Sequence, residues 1–286
     1  MTTLTIGVQG IPITHEVRGE GRPILLIHGW SADRDYMLAD LEPIFDDHPG
    51  WRRIYVDLPG HGSTPAPDWL STEDQMLSVL CGFIAAVAPV GLLALAGSSY
   101  GGRLAVGLVR LIPDRLAGVG LLVPAVSAAD GSLDPAEASV LFEDPSVFED
   151  LAPDEEWMRD TLVVHERWMV DEIRAQDMPA YRRADYAFLA RLEANYIPTG
   201  AAARPGPPFE RPSLILTGRQ DSTVGYRAAW ALLEEFPRAT YAVLDMAGHQ
   251  LGRIERPVPF RALVGDWLER TAMLLDRTLS QGRFDA

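Results

Sequence analysis

Apolar and polar positions alternate at the start of the chain, over residues 4–8 and 13–18. Each stretch reads as a strand with one covered face, and the "QGIP" between them turns the chain, which predicts an N-terminal hairpin. The pattern then changes. "RPILLIHGW" holds a short run that is apolar without alternation, the signature of a strand buried on both faces of a parallel sheet. "WRRIYVDLPGHGST" repeats it, a short strand followed by a Gly/Pro-rich loop. A helix is expected over about residues 72–87, capped by Ser71 or Thr72. After it come the strand "LLALAG", a helix over about 100–111 and the strand "AGVGLLV". This alternation predicts an α/β fold with a mostly parallel central sheet flanked by helices.

The rhythm breaks at Pro124. From there to about Arg211 no strand-like run occurs, and the segment is acidic, aromatic and helix-prone, closing in the Pro/Gly-rich "PTGAAARPGPPFERP". Alternation resumes with the strand "SLILTG", a helix over about 226–236, the strand "TYAVLDM" and a long helix over about 258–279. The expected organisation is a core of residues 1–123 and 212–286, interrupted by a helical cap over 124–211. No internal repeat or low-complexity tract is present. The glycines at 19 and 21 lack the third glycine and following helix of a dinucleotide fingerprint, and neither a P-loop nor a metal-ligand cluster occurs, so no cofactor and no metal are expected.

Composition narrows the partners. The 286 residues carry a net charge of −15 with a pI near 4.8, which disfavours nucleic acid and anionic membrane surfaces and leaves a small molecule as the expected partner. A single cysteine, Cys81, requires no oxidising compartment. The first residues have no basic start or apolar core of a signal peptide, and no apolar stretch reaches the ~20 residues of a membrane helix. A cytoplasmic protein is therefore expected. A homodimer is compatible with the sequence but not indicated by it.

The strand "LLALAG" is left through Ser98 and Ser99. A nucleophile on a tight strand-to-helix turn needs small residues two places before and two after. Framed on Ser99 these are Gly97 and Gly101; framed on Ser98 they are Ala96 and Tyr100, which leave no room. Ser99 is the candidate, and the helix start behind it offers the Tyr100 N–H to an oxyanion. A serine hydroxyl needs a base, and the base an orienting acid. Of the six histidines, His15 lies in the hairpin, His48 in a polar turn and His165 in the insertion; His28, His61 and His249 lie on loops after strands. His249, after the last strand, is the expected base. Asp221, reached from an apolar strand through a glycine, is the expected acid, with Asp130 as the alternative.

With Ser99, Asp221 and His249 in that order, the chain resembles the α/β-hydrolase superfamily over nearly its whole length, including a helical cap after the sixth strand. The resemblance implies that "HGW" is the oxyanion loop, making the Trp30 N–H a second donor beside Tyr100. It implies that "DLPGHGST" is the turn after the next strand, with His61 structural and His28 shaping the oxyanion loop. The serine excludes members with an aspartate nucleophile. The implied reaction is acyl transfer to Ser99, carboxylester hydrolysis first. Carbon–carbon hydrolysis of vinylogous diketone acids is the nearest alternative, although Gln250 stands where those relatives often have tryptophan. Lactonase, thioesterase, aminopeptidase and a cofactor-free peroxidase-like side activity stay open, as does a non-enzymatic receptor. A pocket between sheet loops and cap implies a wall drawn from His28, Trp157, His165, Trp168 and Tyr196, with Tyr181, Tyr186 and Phe188 as further cap aromatics.

Overall fold

The computed structural model describes residues 2–127 and 133–281. Asp130 lies outside these. Eight strands form one sheet: β1 (Thr2–Val8), β2 (Ile11–Arg18), β3 (Arg22–Ile27), β4 (Trp51–Val56), β5 (Leu93–Ser98), β6 (Leu116–Leu122), β7 (Ser213–Gly218) and β8 (Ala239–Leu244). Their order across the sheet is β1-β2-β4-β3-β5-β6-β7-β8; β2 is antiparallel to β1 and β4, and all other pairs are parallel.

The N-terminal hairpin turns on Gln9 and Gly10, with φ of 50° and 83°. This two-residue geometry suits strand twist, so β2 begins at Ile11 rather than after the "QGIP" turn. Ile11 and Ile13 are both buried, which fixes the register.

The helices in chain order are α1 (Arg34–Phe45), α2 (Glu73–Val87), α3 (Tyr100–Leu111), α4 (Trp157–Thr161), α5 (Arg167–Gln176), α6 (Met178–Arg183), α7 (Tyr186–Glu193), α8 (Arg227–Trp230) and α9 (Pro257–Gln281). Leu25, Ile27, Leu95 and Val119 pack against α2 and α3, whereas Ile24, Leu26, Ala94 and Leu214 pack in the layer of α1 and α9. Successive residues of a strand face opposite layers, and both layers are apolar, which is why these runs lack alternation. Thr72 rather than Ser71 caps α2: its hydroxyl accepts from Gln75 N–H, and the Gln75 side chain accepts in return from the Thr72 N–H.

The expected helix over 226–236 is shorter. α8 ends at Trp230 and tightens into a 3₁₀ turn, Ala231–Glu234. Phe236 must reach the core, where it is fully buried, and Pro237 behind it disfavours further helix.

Between β6 and β7 the described chain forms no strand of the sheet. It carries α4 to α7 and short 3₁₀ turns around its own apolar cluster of Phe148, Met158, Leu162, Val170 and Ile173. Ile254, from the loop before α9, joins that cluster and ties it to the sheet side.

Candidate active site

β5 delivers Ser99 at its C-terminal end, and α3 begins one residue later. Ser99 has φ 53° and ψ −115°, a left-handed conformation that costs a non-glycine residue energy. The corner is held from β6 and the chain after it. Ser99 N–H donates to Leu122 O at 2.8 Å, and Ser99 O accepts from Ala125 N–H at 3.0 Å and from Arg103 N–H at 3.1 Å. A Cβ at position 97 would lie 2.1 Å from Gly101 O, and one at position 101 would lie 2.2 Å from Ile27 O. Backbone occupies both places, so glycine is required at each.

Loops after β7 and β8 bring the partners. Asp221 is fully buried, and its Oδ1 accepts from Thr223 N–H at 2.9 Å and Val224 N–H at 3.0 Å. Its Oδ2 accepts from His249 Nδ1–H at 2.9 Å, and His249 Nε2 lies 3.0 Å from Ser99 Oγ. The three expected side chains therefore form one hydrogen-bonded chain. Burial opposes the charge on Asp221, but His249 and the two N–H groups outweigh it and hold the carboxyl below the usual range. Burial likewise opposes the His249 cation, yet Asp221, with a contribution from Glu255, raises the imidazole above its ordinary value.

Trp30 and Tyr100 flank the serine, their rings edge to face at 5.0 Å. Neither backbone N–H is engaged by a protein acceptor among the described residues. Tyr196 stacks on Tyr100 at 5.5 Å and meets Trp30 at 5.7 Å, and the Arg103 guanidinium lies 4.3 Å from the Tyr196 ring centre.

Two cavities border Ser99. One of about 610 Å³ is walled by Tyr36, Trp157, Met178, Tyr181 and Gln250, with Arg182 and Asp154 at its rim. The other, of about 710 Å³, runs past Tyr100 and Tyr196 toward Asp74, Glu193 and Asn195. Trp30 and Thr223 border both.

Of the expected wall residues, Trp157 lines the first cavity and Tyr196 the second. The other three do not line either, and each has a physical reason. His28 is fully buried: its Nδ1–H donates to Gly29 O at 2.7 Å and its Nε2 accepts from Leu58 N–H at 3.0 Å, so it pins the loop after β3 to the loop after β4. His165 belongs to the interior of the inserted segment, edge to face on Phe148 at 4.5 Å, where its Nδ1 accepts from Asp144 N–H. Trp168 is about half exposed on α5. His61 is buried 4.9 Å from His28, and burial together with that neighbour drives its pKa down to about 3, which keeps it neutral. Phe188 packs under Gly60 in the core rather than in the wall, whereas Tyr181 and Tyr186 line the first cavity.

Sequence reasoning missed Tyr36, Met178 and Thr223, whose side chains carry no pattern of their own. It also missed Glu255, whose one signal is a carboxylate in the apolar turn "LGRIE" just beyond His249.

Among the described residues no helix is long and apolar enough to cross a membrane. A sequence model of the alpha/beta hydrolase family matches residues 24–263. A 2-hydroxy-6-oxo-6-(2'-aminophenyl)hexa-2,4-dienoic acid hydrolase of Metapseudomonas resinovorans is 25% identical over 93% of this chain and 91% of its own. A pimeloyl-[acyl-carrier protein] methyl ester esterase of Legionella pneumophila is 36% identical over 34% of this chain and 36% of its own. Among solved structures, an alpha/beta superfamily hydrolase from Oenococcus oeni superposes with a TM-score of 0.83 at 24% identity, covering 95% of this chain and all of that one. The strand order, the serine at the corner after β5 and the family match lead to one assignment: this chain belongs to the alpha/beta hydrolase family.

Proposed function

We propose that this hydrolase cleaves a small to medium acyl substrate, a neutral carboxylester first of all, through an acyl-enzyme on Ser99. The observation that carries the reading is the 3.0 Å contact of Ser99 Oγ with His249 Nε2, backed by Asp221 at 2.9 Å. In this reading His249 takes the hydroxyl proton as Oγ bonds to the acyl carbon. Asp221 keeps the Nδ1–H tautomer and stabilises the imidazolium. The oxyanion lies against the N–H groups of Trp30 and Tyr100. The imidazolium then protonates the leaving oxygen. Water, deprotonated by the same imidazole, attacks the acyl-enzyme and frees the acid and Ser99.

The walls favour an uncharged substrate. Besides His249, Arg182 is the only cationic side chain among the described residues lining the two cavities, and it is paired with Asp154 at 2.7 Å and Glu155 at 3.1 Å. A substrate carboxylate would have to displace those partners. The aromatic wall of the first cavity suits an aryl or medium acyl group.

A second reading is carbon–carbon bond hydrolysis of a conjugated oxo-dienoic acid. It is favoured by the relative of that kind that matches over 93% of the chain. A panel of nitrophenyl esters, lactones, thioesters, peptides and conjugated oxo-dienoic acids, run with the Ser99→Ala protein as control, separates the readings. Turnover of neutral esters that vanishes in Ser99→Ala is the expected result. Turnover confined to the oxo-dienoic acids selects the second reading, and no turnover of any member overturns both and leaves a binding protein.

A further inference from the structure

The turn that follows His249 is one residue wider than an α-helical turn. Glu255 N–H donates to Gln250 O at 3.2 Å and Arg256 N–H to Leu251 O at 3.1 Å, five residues back in each case. The turn is also kinked, with Gly252 at φ −62° and ψ −112°, and it carries the buried carboxylate of Glu255. Its Oε2 accepts from Gly248 N–H, next to His249, at 2.6 Å. Its Oε1 accepts from Val163 N–H at 3.1 Å, in the segment that follows α4. Thr161, the last residue of α4, lines the first cavity two places earlier, and a Cβ on Gly248 would lie 3.0 Å from Thr161 O. One carboxylate thus spans the histidine loop and the segment that roofs the pocket.

We propose that Glu255 is a positioning residue for His249, tying the loop that carries the base to the roof of the pocket so that the seating of the roof fixes the imidazole beside Ser99. The inference rests on the serine-hydrolase reading above. A carboxylate serves where an amide cannot. Both of its oxygens accept, whereas a glutamine would turn an NH₂ toward one of the two N–H groups. The charge also acts on the base. The ionisable groups facing Glu255 from other elements are Asp221 and His249, on the loops after β7 and β8; on its own turn, Arg253 points away to Asp40 and Asp177. Ionised Glu255 favours the imidazolium, so its removal lowers the pKa of His249. Burial pushes the Glu255 carboxyl up to about 7, so the acid limb of activity is shared by two coupled groups.

The test compares Glu255→Gln and Glu255→Asp with the wild type. Active sites are counted with a serine-directed phosphonate, and the His249 ring is titrated by NMR on histidine-labelled protein, its signal assigned by loss in His249→Asn. In Glu255→Gln, kcat per active site falls by ~10-fold or more while KM stays within about 2-fold, as expected of a misplaced base. The acid limb moves to lower pH and becomes a one-proton transition, and the ring titration moves the same way. In Glu255→Asp the charge remains, so the limb keeps its wild-type position. The shorter side chain no longer reaches both N–H groups, so kcat still falls. Wild-type kcat and an unshifted His249 titration in Glu255→Gln overturn the proposal. So does a loss of folded protein with unchanged kcat per counted site in both variants. If the wild type turns over no substrate, the hydrolase reading fails by itself, and the ring titration still decides whether Glu255 governs His249.

Discussion

At position 99 a side chain pays for its exposure with backbone strain, and the two glycines around it make the corner sterically feasible. That much was legible in the sequence, because the spacing Gly97–Ser99–Gly101 has a steric meaning wherever a strand meets a helix. The specific obstacles were not, since Gly101 faces the carbonyls of Ile27, at the end of β3, and His28, just beyond it. In the acyl-enzyme reading, Ser99→Ala is expected to lower kcat by ~10³-fold or more with an unchanged circular dichroism spectrum, because there the hydroxyl carries the chemistry and little packing. Gly101→Ala is expected to lose both activity and about 1–3 kcal/mol of stability in denaturant titration, because backbone must move to admit the methyl. The pH profile of kcat/KM follows from His249. As the proposed base it works when neutral, and its pKa is raised by Asp221 and Glu255, so activity is expected to rise with pH through a limb above the ordinary histidine value. A flat profile from about pH 5 to about pH 9 would remove the histidine from the reaction.

Among elements, the strands were the most readable, because a strand with two apolar layers against it must be apolar throughout. The helices of the sheet layers were nearly as clear, and Thr72 can be tested directly. Thr72→Ala removes an acceptor for the Gln75 N–H and is expected to cost about 1 kcal/mol, read as a lowered Tm. The inserted segment was readable as helix-prone but not in detail. α5 and α7 each bury a stripe, Met169, Val170 and Ile173 on one and Phe188, Leu189 and Leu192 on the other, but the cluster also draws Phe148, Met158 and Met178 from shorter elements that show none. For the same reason the sequence could not say which aromatics face the cavity. His165 and Trp168 share the composition of Trp157 and Tyr181 but not their orientation.

Across the whole molecule, the inserted segment is held to the sheet side by charge as well as by packing. Arg253 reaches Asp40 on α1 at 2.8 Å and Asp177, between α5 and α6, at 2.5 Å. Both carboxylates are buried, so Arg253→Ala leaves two buried acids without their cation, either charged or forced to take up a proton, and is expected to cost about 3–5 kcal/mol in chemical denaturation. The chain contains no lysine, and all 25 of its basic residues are arginine, which stays charged throughout. Its response to neutral pH therefore belongs to carboxyls and histidines. Burial pushes Glu73, Asp177 and Glu255 each up to about 7. Between the unfolded carboxylate value and about 7 the folded chain binds more protons than the unfolded one, so these groups make stability fall as pH rises through that window. His249, also raised, acts in the same direction around neutrality. Burial holds His15, His28 and His61 neutral in the fold, so up to about the ordinary histidine value they raise stability with pH and oppose the carboxyls. A Tm that declines from about pH 7 to about pH 8 is the expected outcome, and an increase over that range would contradict the placement of these groups.

Two chambers share one serine. In the acyl-enzyme reading, the first fragment to depart vacates its chamber while the other fragment is still esterified next door. A short alcohol can enter the vacated space ahead of water and attack the same carbonyl. With methanol in the buffer, gas chromatography should then find methyl esters of the retained acyl group in place of part of the free acid.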